Sequence, residues 1–193
     1  MLVIHTTERA SPYLVGLNRQ SFIIKVLVMY KFEEILPLIE KSFGEVCCRK
    51  RVRFGNSVSI DFGNKVSHNK SKMADPFYGE WSFSCYHKLW RILKGNKIIL
   101  EGQNDFVNYE ETDSILQQIA FGRLIEVTVI NTLNIAMILD NDIRIEFLAC
   151  SEEEDTFEVL LPHNRCLVYY ASQGWEYGRG DLPWPNHLEL NHE

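Results

Sequence analysis

Two stretches of the chain, residues 35–92 and 115–168, pass through the same signals in the same order. Each opens on an apolar ILxxI segment followed by Phe-Gly, Ile35-Leu36-Pro37-Leu38-Ile39 with Phe43-Gly44 and Ile115-Leu116-Gln117-Gln118-Ile119 with Phe121-Gly122. An asparagine-led alternating run follows, Asn56 to Phe62 in the first stretch and Asn141 to Phe147 in the second. A hairpin-like segment closes each, Trp81 to Ile92 and Phe157 to Val168, with His87 and His163 at matching places. Gly44 and Asn56 are separated by 11 residues but Gly122 and Asn141 by 18, which leaves room for an additional strand in the second stretch. Duplication and chance resemblance between two β-prone segments predict the same architecture, two helix-plus-sheet units facing one core.

At 193 residues the chain is long enough for one well-buried domain, or for two halves that share a core. The expectation is a single domain over 1–193, with pseudo-repeat halves 13–100 and 110–175 and with 1–12 and 176–193 peripheral. Hydrophobic residues at 46% and charged residues at 24% are the mix of a globular protein. The apolar run from Phe22 to Tyr30 is interrupted by Lys25 and is too short to cross a bilayer. The first residues lack the basic start and apolar stretch of a secretory signal, so a cytoplasmic location is expected. Five cysteines, Cys47, Cys48, Cys85, Cys150 and Cys166, form no CxxC pair and read as reduced, core-packing thiols. The net charge of −6 disfavours a phosphate-backbone partner and favours a basic protein.

Periodicity predicts a β-rich α+β fold of mostly antiparallel sheets with two short helices. The stripe Phe32, Ile35, Leu36, Ile39 and Phe43 is helical, ended by Gly44, with Pro37 marking a possible start. A second helix is expected through Ile119, capped by Asp113 or Ser114 and stopped by Gly122. Phe22 to Tyr30 reads as a buried strand, although a helix capped by Ser21 also fits. Strands are expected within Glu45 to Phe62, over Trp81 to Cys85 paired with Leu89 to Leu93, and over Lys97 to Leu100 after a Gly95-Asn96 turn. In the second half they are expected over Arg123 to Asn131, Leu133 to Asp140, Asp142 to Cys150, Phe157 to Leu161 and Cys166 to Tyr170. Asn64 to Asp75 and Gln173 to Glu193 read as surface loops.

No cluster of residues spells out a chemistry. The chain has no GxSxG, P-loop or GxGxxG, and its six histidines fall at no ligand spacing, so no metal and no cofactor is expected. Arg49-Lys50-Arg51-Val52-Arg53 is the only basic run; without interleaved aromatics it reads as a solvated strand edge rather than a nucleic-acid site. Glu152-Glu153-Glu154-Asp155 is an acidic turn able to steer a basic partner. Trp81 and Trp90 fall in strand patterns and belong to the core. Trp175, Tyr177 and Trp184, set among glycines and prolines, are the expected contact anchors.

The Gly79-Glu80-Trp81 to Trp90-Arg91-Ile92 segment, the downstream Gly102 and the strand-rich second half resemble small acidic bacterial proteins that include immunity proteins of polymorphic-toxin and contact-dependent growth inhibition systems. The resemblance implies a non-catalytic module that neutralises a cognate toxin domain, such as a basic nuclease, by direct binding. It carries over no individual residue. The competing expectations are a small-ligand-binding or enzymatic domain, which needs a pocket of convergent polar groups, and a structural or assembly module, which needs an apolar face or a symmetric dimer. Neither nucleic acid nor membrane is an expected partner, and the oligomeric state is left open.

Overall fold

A computed structural model describes residues 29–68, 75–85, 89–102, 108–131, 134–148, 155–171 and 173–180. The fold is β-rich α+β, with two antiparallel sheets and two short helices. In the first half come α1 (Phe32–Ile39), β1 (Cys47–Val52), β2 (Val58–Ser67), β3 (Phe77–Cys85), β4 (Trp90–Lys94) and β5 (Lys97–Glu101). The second half supplies α2 (Tyr109–Gln118), β6 (Leu124–Val129), β7 (Ile135–Leu139), β8 (Ile143–Phe147), β9 (Asp155–Leu161), β10 (Arg165–Tyr170) and β11 (Gly174–Arg179).

The six-stranded sheet has the order β1-β2-β3-β9-β10-β11 and the five-stranded sheet the order β5-β4-β8-β7-β6. Each half therefore places three strands in one sheet and sends the next ones into the other. Reading β1-β2-β3-β9-β10 onto β6-β7-β8-β4-β5 matches every strand to the one five places away in the chain, and only β11 has no counterpart. The entries to β1 and β6 pair with each other: Val46 and Arg123 form an antiparallel bridge, Gly44 N–H donates to Leu124 C=O at 2.7 Å, and Leu124 N–H donates to Glu45 C=O at 3.0 Å.

This arrangement corrects the register of the internal echo. Trp81 to Cys85 and Leu89 to Leu93 are not a hairpin, because β3 and β4 lie in different sheets, whereas β9 and β10 do pair. The Asn56-led strand β2 corresponds in position to β7 rather than to the Asn141-led β8. The additional strand is β11 at the end of the second half, inside the segment expected to be a surface loop. His87 lies outside the described residues, and His163 occupies the β9–β10 turn with φ 62°.

Alternation supplies the core. In β2 and β3 the pairs Ile60 with Phe83 and Phe62 with Trp81 turn one way, while Asp61 with Ser82 turns the other. Ile60, Phe62 and Phe83 join Phe147, Phe157, Trp90 and Trp175 in one buried cluster drawn from both sheets, and the Phe147 and Phe157 rings meet across them at 4.6 Å. Helix α1 begins at Phe32 rather than at Pro37. The Glu34 carboxylate accepts the Lys31 N–H at 2.6 Å, and Ile35 and Ile39 are fully buried one turn apart. Helix α2 begins four residues before Asp113, capped by Asn108, whose side-chain oxygen accepts the Glu110 N–H at 3.1 Å. No helix among the described residues is long and apolar enough to cross a membrane.

Candidate interaction face and ion-pair network

Strand β1 is the outer strand of its sheet, and its alternating side chains send Arg49 and Arg51 to the side opposite the core. Both are paired there, with Arg49 buried and Arg51 part-buried. Arg49 donates to Asp61 Oδ2 from Nη1 at 3.0 Å and to Asp75 Oδ2 from Nε at 2.8 Å, and both Arg49 and Asp61 are buried. Asp61 also accepts the Gly79 N–H at 3.0 Å and the hydroxyls of Ser59 and Ser82 at 3.1 and 2.7 Å. Four donors thus hold one buried carboxylate, the condition under which a charge is tolerated away from water. A Cβ on Gly79 would stand 2.6 Å from Asp61 Cβ and 2.9 Å from the Phe62 backbone, so only glycine lets β3 approach this carboxylate.

Arg51 grips two acids. Its Nε and Nη2 donate to the two oxygens of Asp75, each at 2.8 Å, and its Nη1 donates to Asp113 Oδ2 at 2.8 Å. The Arg51 guanidinium, followed by the Arg49 contact, pulls the Asp75 carboxyl down to about 2. Asp75, expected in a surface loop, is therefore the clasp that closes the network over β1. Asp113 was expected to cap α2. It accepts the Val52 N–H at 2.8 Å from mid-helix, while Gln117 donates to the Lys50 C=O at 2.6 Å. Side chains of α2 thus occupy the backbone edge of β1 and fix the helix against it.

With α2 fixed in this way, Thr112 and Leu116 face inward and Ile115 faces out, 41% exposed. Ile98 of β5 is 42% exposed, and a groove of about 360 Å³ runs between the two elements, lined by Ile98, Ile99, Leu100, Glu101, Glu111, Thr112 and Ile115. At the start of α2, Phe54 stands 87% exposed in a short 3-10 turn, its ring edge-on to Tyr109 at 6.2 Å. Glu101, Glu110 and Glu111 are exposed around these apolar groups. Arg53 beside Phe54 and Lys97 beside Ile98 are exposed as well, so the acidic groups are Glu101 and the first turn of α2. A second cleft, of about 460 Å³, is lined by Arg53, Tyr78, Glu80, Asn164 and Arg165 above the Arg49–Asp61 pair; Glu80 accepts from Asn64 and Arg165 donates to the Tyr177 hydroxyl at 3.3 Å.

The expected anchors lie elsewhere. Trp175 is 1% exposed and Tyr177 9%, because β11 places both in the core, where Trp175 meets Tyr169 at 5.0 Å and Phe32 at 6.0 Å. Their expected exposure is thus corrected: the glycine-rich tail reads as loop by composition, but it forms a hairpin with β10, the strand directly before it, and that pairing turns Trp175 and Tyr177 inward. Glu152, Glu153, Glu154 and Trp184 lie outside the described residues, and of Asp155 only the backbone is described, paired with Tyr170. Cys85 and Cys166 are buried thiols, with burial pushing Cys166 up to about 12, while Cys150 lies outside the described residues. Among the described residues no three His, Cys, Asp or Glu side chains converge as a metal site. Comparison with protein-family models, curated proteins and solved structures finds no match to the chain.

Proposed function

We propose that the protein is a non-catalytic binding module that occludes a basic protein partner, as an immunity protein does with its cognate toxin domain, and that it does so through the face built by α2, β5 and the Phe54 turn. The observation that carries this reading is Phe54, a phenylalanine 87% exposed against Tyr109 at the start of α2, together with exposed Ile98 and Ile115 in the groove between β5 and α2 and exposed Glu101, Glu110 and Glu111 on those two elements. Exposed apolar side chains on elements that also carry acidic groups suit an interface with an apolar anchor and electrostatic steering toward the opposite sign. The network beneath supports it differently. Its carboxylates are engaged by arginine, hydroxyl and amide donors, so it serves to hold α2 and β1 rigid rather than to exchange protons with a substrate.

The test is copurification with the C-terminal domain of a large secreted protein encoded beside this chain. A complex is expected that weakens with salt and loses on the order of tenfold or more in affinity with Phe54→Ala. Undiminished binding by Phe54→Ala together with Ile115→Ser, or the absence of a complex, removes the proposal.

A further inference from the structure

Among the described residues the two sheets differ by one strand, and none of these residues takes beside β5 the place that β11 takes beside β10. In the six-stranded sheet β11 lies on the outer side of β10, sets Trp175 against Tyr169 and Phe32 of α1, and is covered in turn by Tyr30 through backbone bonds of 2.7 and 2.8 Å. In the five-stranded sheet β5 holds the position that β10 holds in the other. Helix α2 stands beside it, but among the described residues no strand pairs with its outer side. The groove of about 360 Å³ between β5 and α2 occupies that place instead.

Each of the other outer strands is bonded on its outer side at one or two residues. The edge of β1 is taken up by Asp113 and Gln117, β6 enters through its bonds to Gly44 and Glu45, and β11 carries Tyr30. An outer strand with an uncovered edge is a template for another chain. Ile99 is an extra residue relative to β4, since Arg91 pairs with Glu101, Ile92 with Leu100 and Leu93 with Ile98. The bend at such a bulge keeps any added pairing short.

We infer that β5 is a strand-addition site: an extended segment of a basic protein partner pairs antiparallel with Lys97–Glu101 as a sixth strand. Its apolar or aromatic side chains enter the groove against Ile98 and Ile115, as Trp175 packs beside α1, and its lysines or arginines meet Glu101 and Glu111. The inference rests on the reading of this face as a protein-binding one and adds the binding mode.

The experiment is a display selection of random linear peptides against the full chain, followed by amide hydrogen exchange with the enriched peptides. The expected peptides alternate apolar with basic residues, slow exchange at Ile98 to Glu101, and bind on the order of tenfold more weakly to Ile115→Lys, a difference of ~1.4 kcal/mol. Glu101→Lys with Glu111→Lys, at exposed positions, should weaken them as well and make the remaining binding less salt-dependent. Strand addition is overturned if no peptide is enriched, if protection falls elsewhere, or if Ile115→Lys binds equally well. Protection of the same amides by raised protein concentration alone overturns it in favour of a second copy of this chain. A toxin-domain complex that depends on Phe54 while peptides fail would leave the protein-binding reading standing, and peptides bound at β5 with no such complex would do the reverse.

Discussion

Arg49 and Arg51 show how far the meaning of a residue depends on partners distant in the chain. Locally they belong to a basic run, and a basic run on an outer strand reads as solvated edge. Their acids come from Asp61, Asp75 and Asp113, on β2, after β2 and on α2, and no local pattern connects them. The edge position of β1 was legible; the neutralisation was not. Asp75 gives this network a measurable pH signature. Its carboxyl is held at about 2 in the folded chain against an ordinary 3.8, chiefly by Arg51. A carboxyl depressed by folding contributes stability that is complete above its unfolded pKa and is lost as pH falls through the folded one. The urea midpoint should therefore fall as pH drops from 3.8 toward 2, and Asp75→Asn should lower stability at neutral pH while flattening the profile in that window. Parallel profiles for the two proteins would contradict the assignment.

Strand β11 carries the corresponding lesson for elements. Gly174-Trp175-Glu176-Tyr177-Gly178-Arg179 has glycines at two of six positions, so it reads as loop, yet alternation buries Trp175 and Tyr177 on one side once β10 is there to pair with. Gly174 is there for a separate reason: at φ 122° a Cβ would meet the Tyr30 carbonyl oxygen at 2.7 Å, so glycine permits the bridge that covers this edge. Trp175 touches Phe32, Phe157 and Tyr169, and so connects α1 with β9, β10 and β11. Trp175→Ala should cost about 3–5 kcal/mol in chemical denaturation, the range for emptying a buried tryptophan site. A cost below about 1 kcal/mol, usual for an exposed aromatic, would mean that β11 is dispensable to the core. Elements with clean local periods were legible in advance: β6, β7 and β8 fall within the expected strands, β9 and β10 begin two residues and one residue before theirs, and both helices fall near their stripes. Helix starts were displaced because Glu34 and Asn108 do the capping, and short polar residues suited to that task also occur at Asp113 and Ser114. The exposed face was missed because Ile115 looks like part of an apolar repeat. Only the phase set by Thr112 and Leu116 turns it outward.

At the scale of the molecule, the repeated order of signals in the sequence corresponds to a repeated order of strands, but the two halves are interlocked rather than side by side. Neither half owns a sheet. β4 and β5 complete the sheet begun by β6, β7 and β8, while β9, β10 and β11 complete the one begun by β1, β2 and β3. The seams at β3–β9 and β4–β8, the Val46–Arg123 bridge and the Phe147–Phe157 contact all join residues from different halves or different sheets. Such a chain should unfold in one cooperative transition, because removing either half strips neighbours from strands in both sheets. Fragments covering 29–102 and 108–180 test this directly. Each alone should lack a cooperative urea transition, and an equimolar mixture should regain β-sheet circular dichroism and a single midpoint. A half that folds by itself would show that its own three-strand meander and helix suffice, and that the interlocking is an embellishment on two independent units.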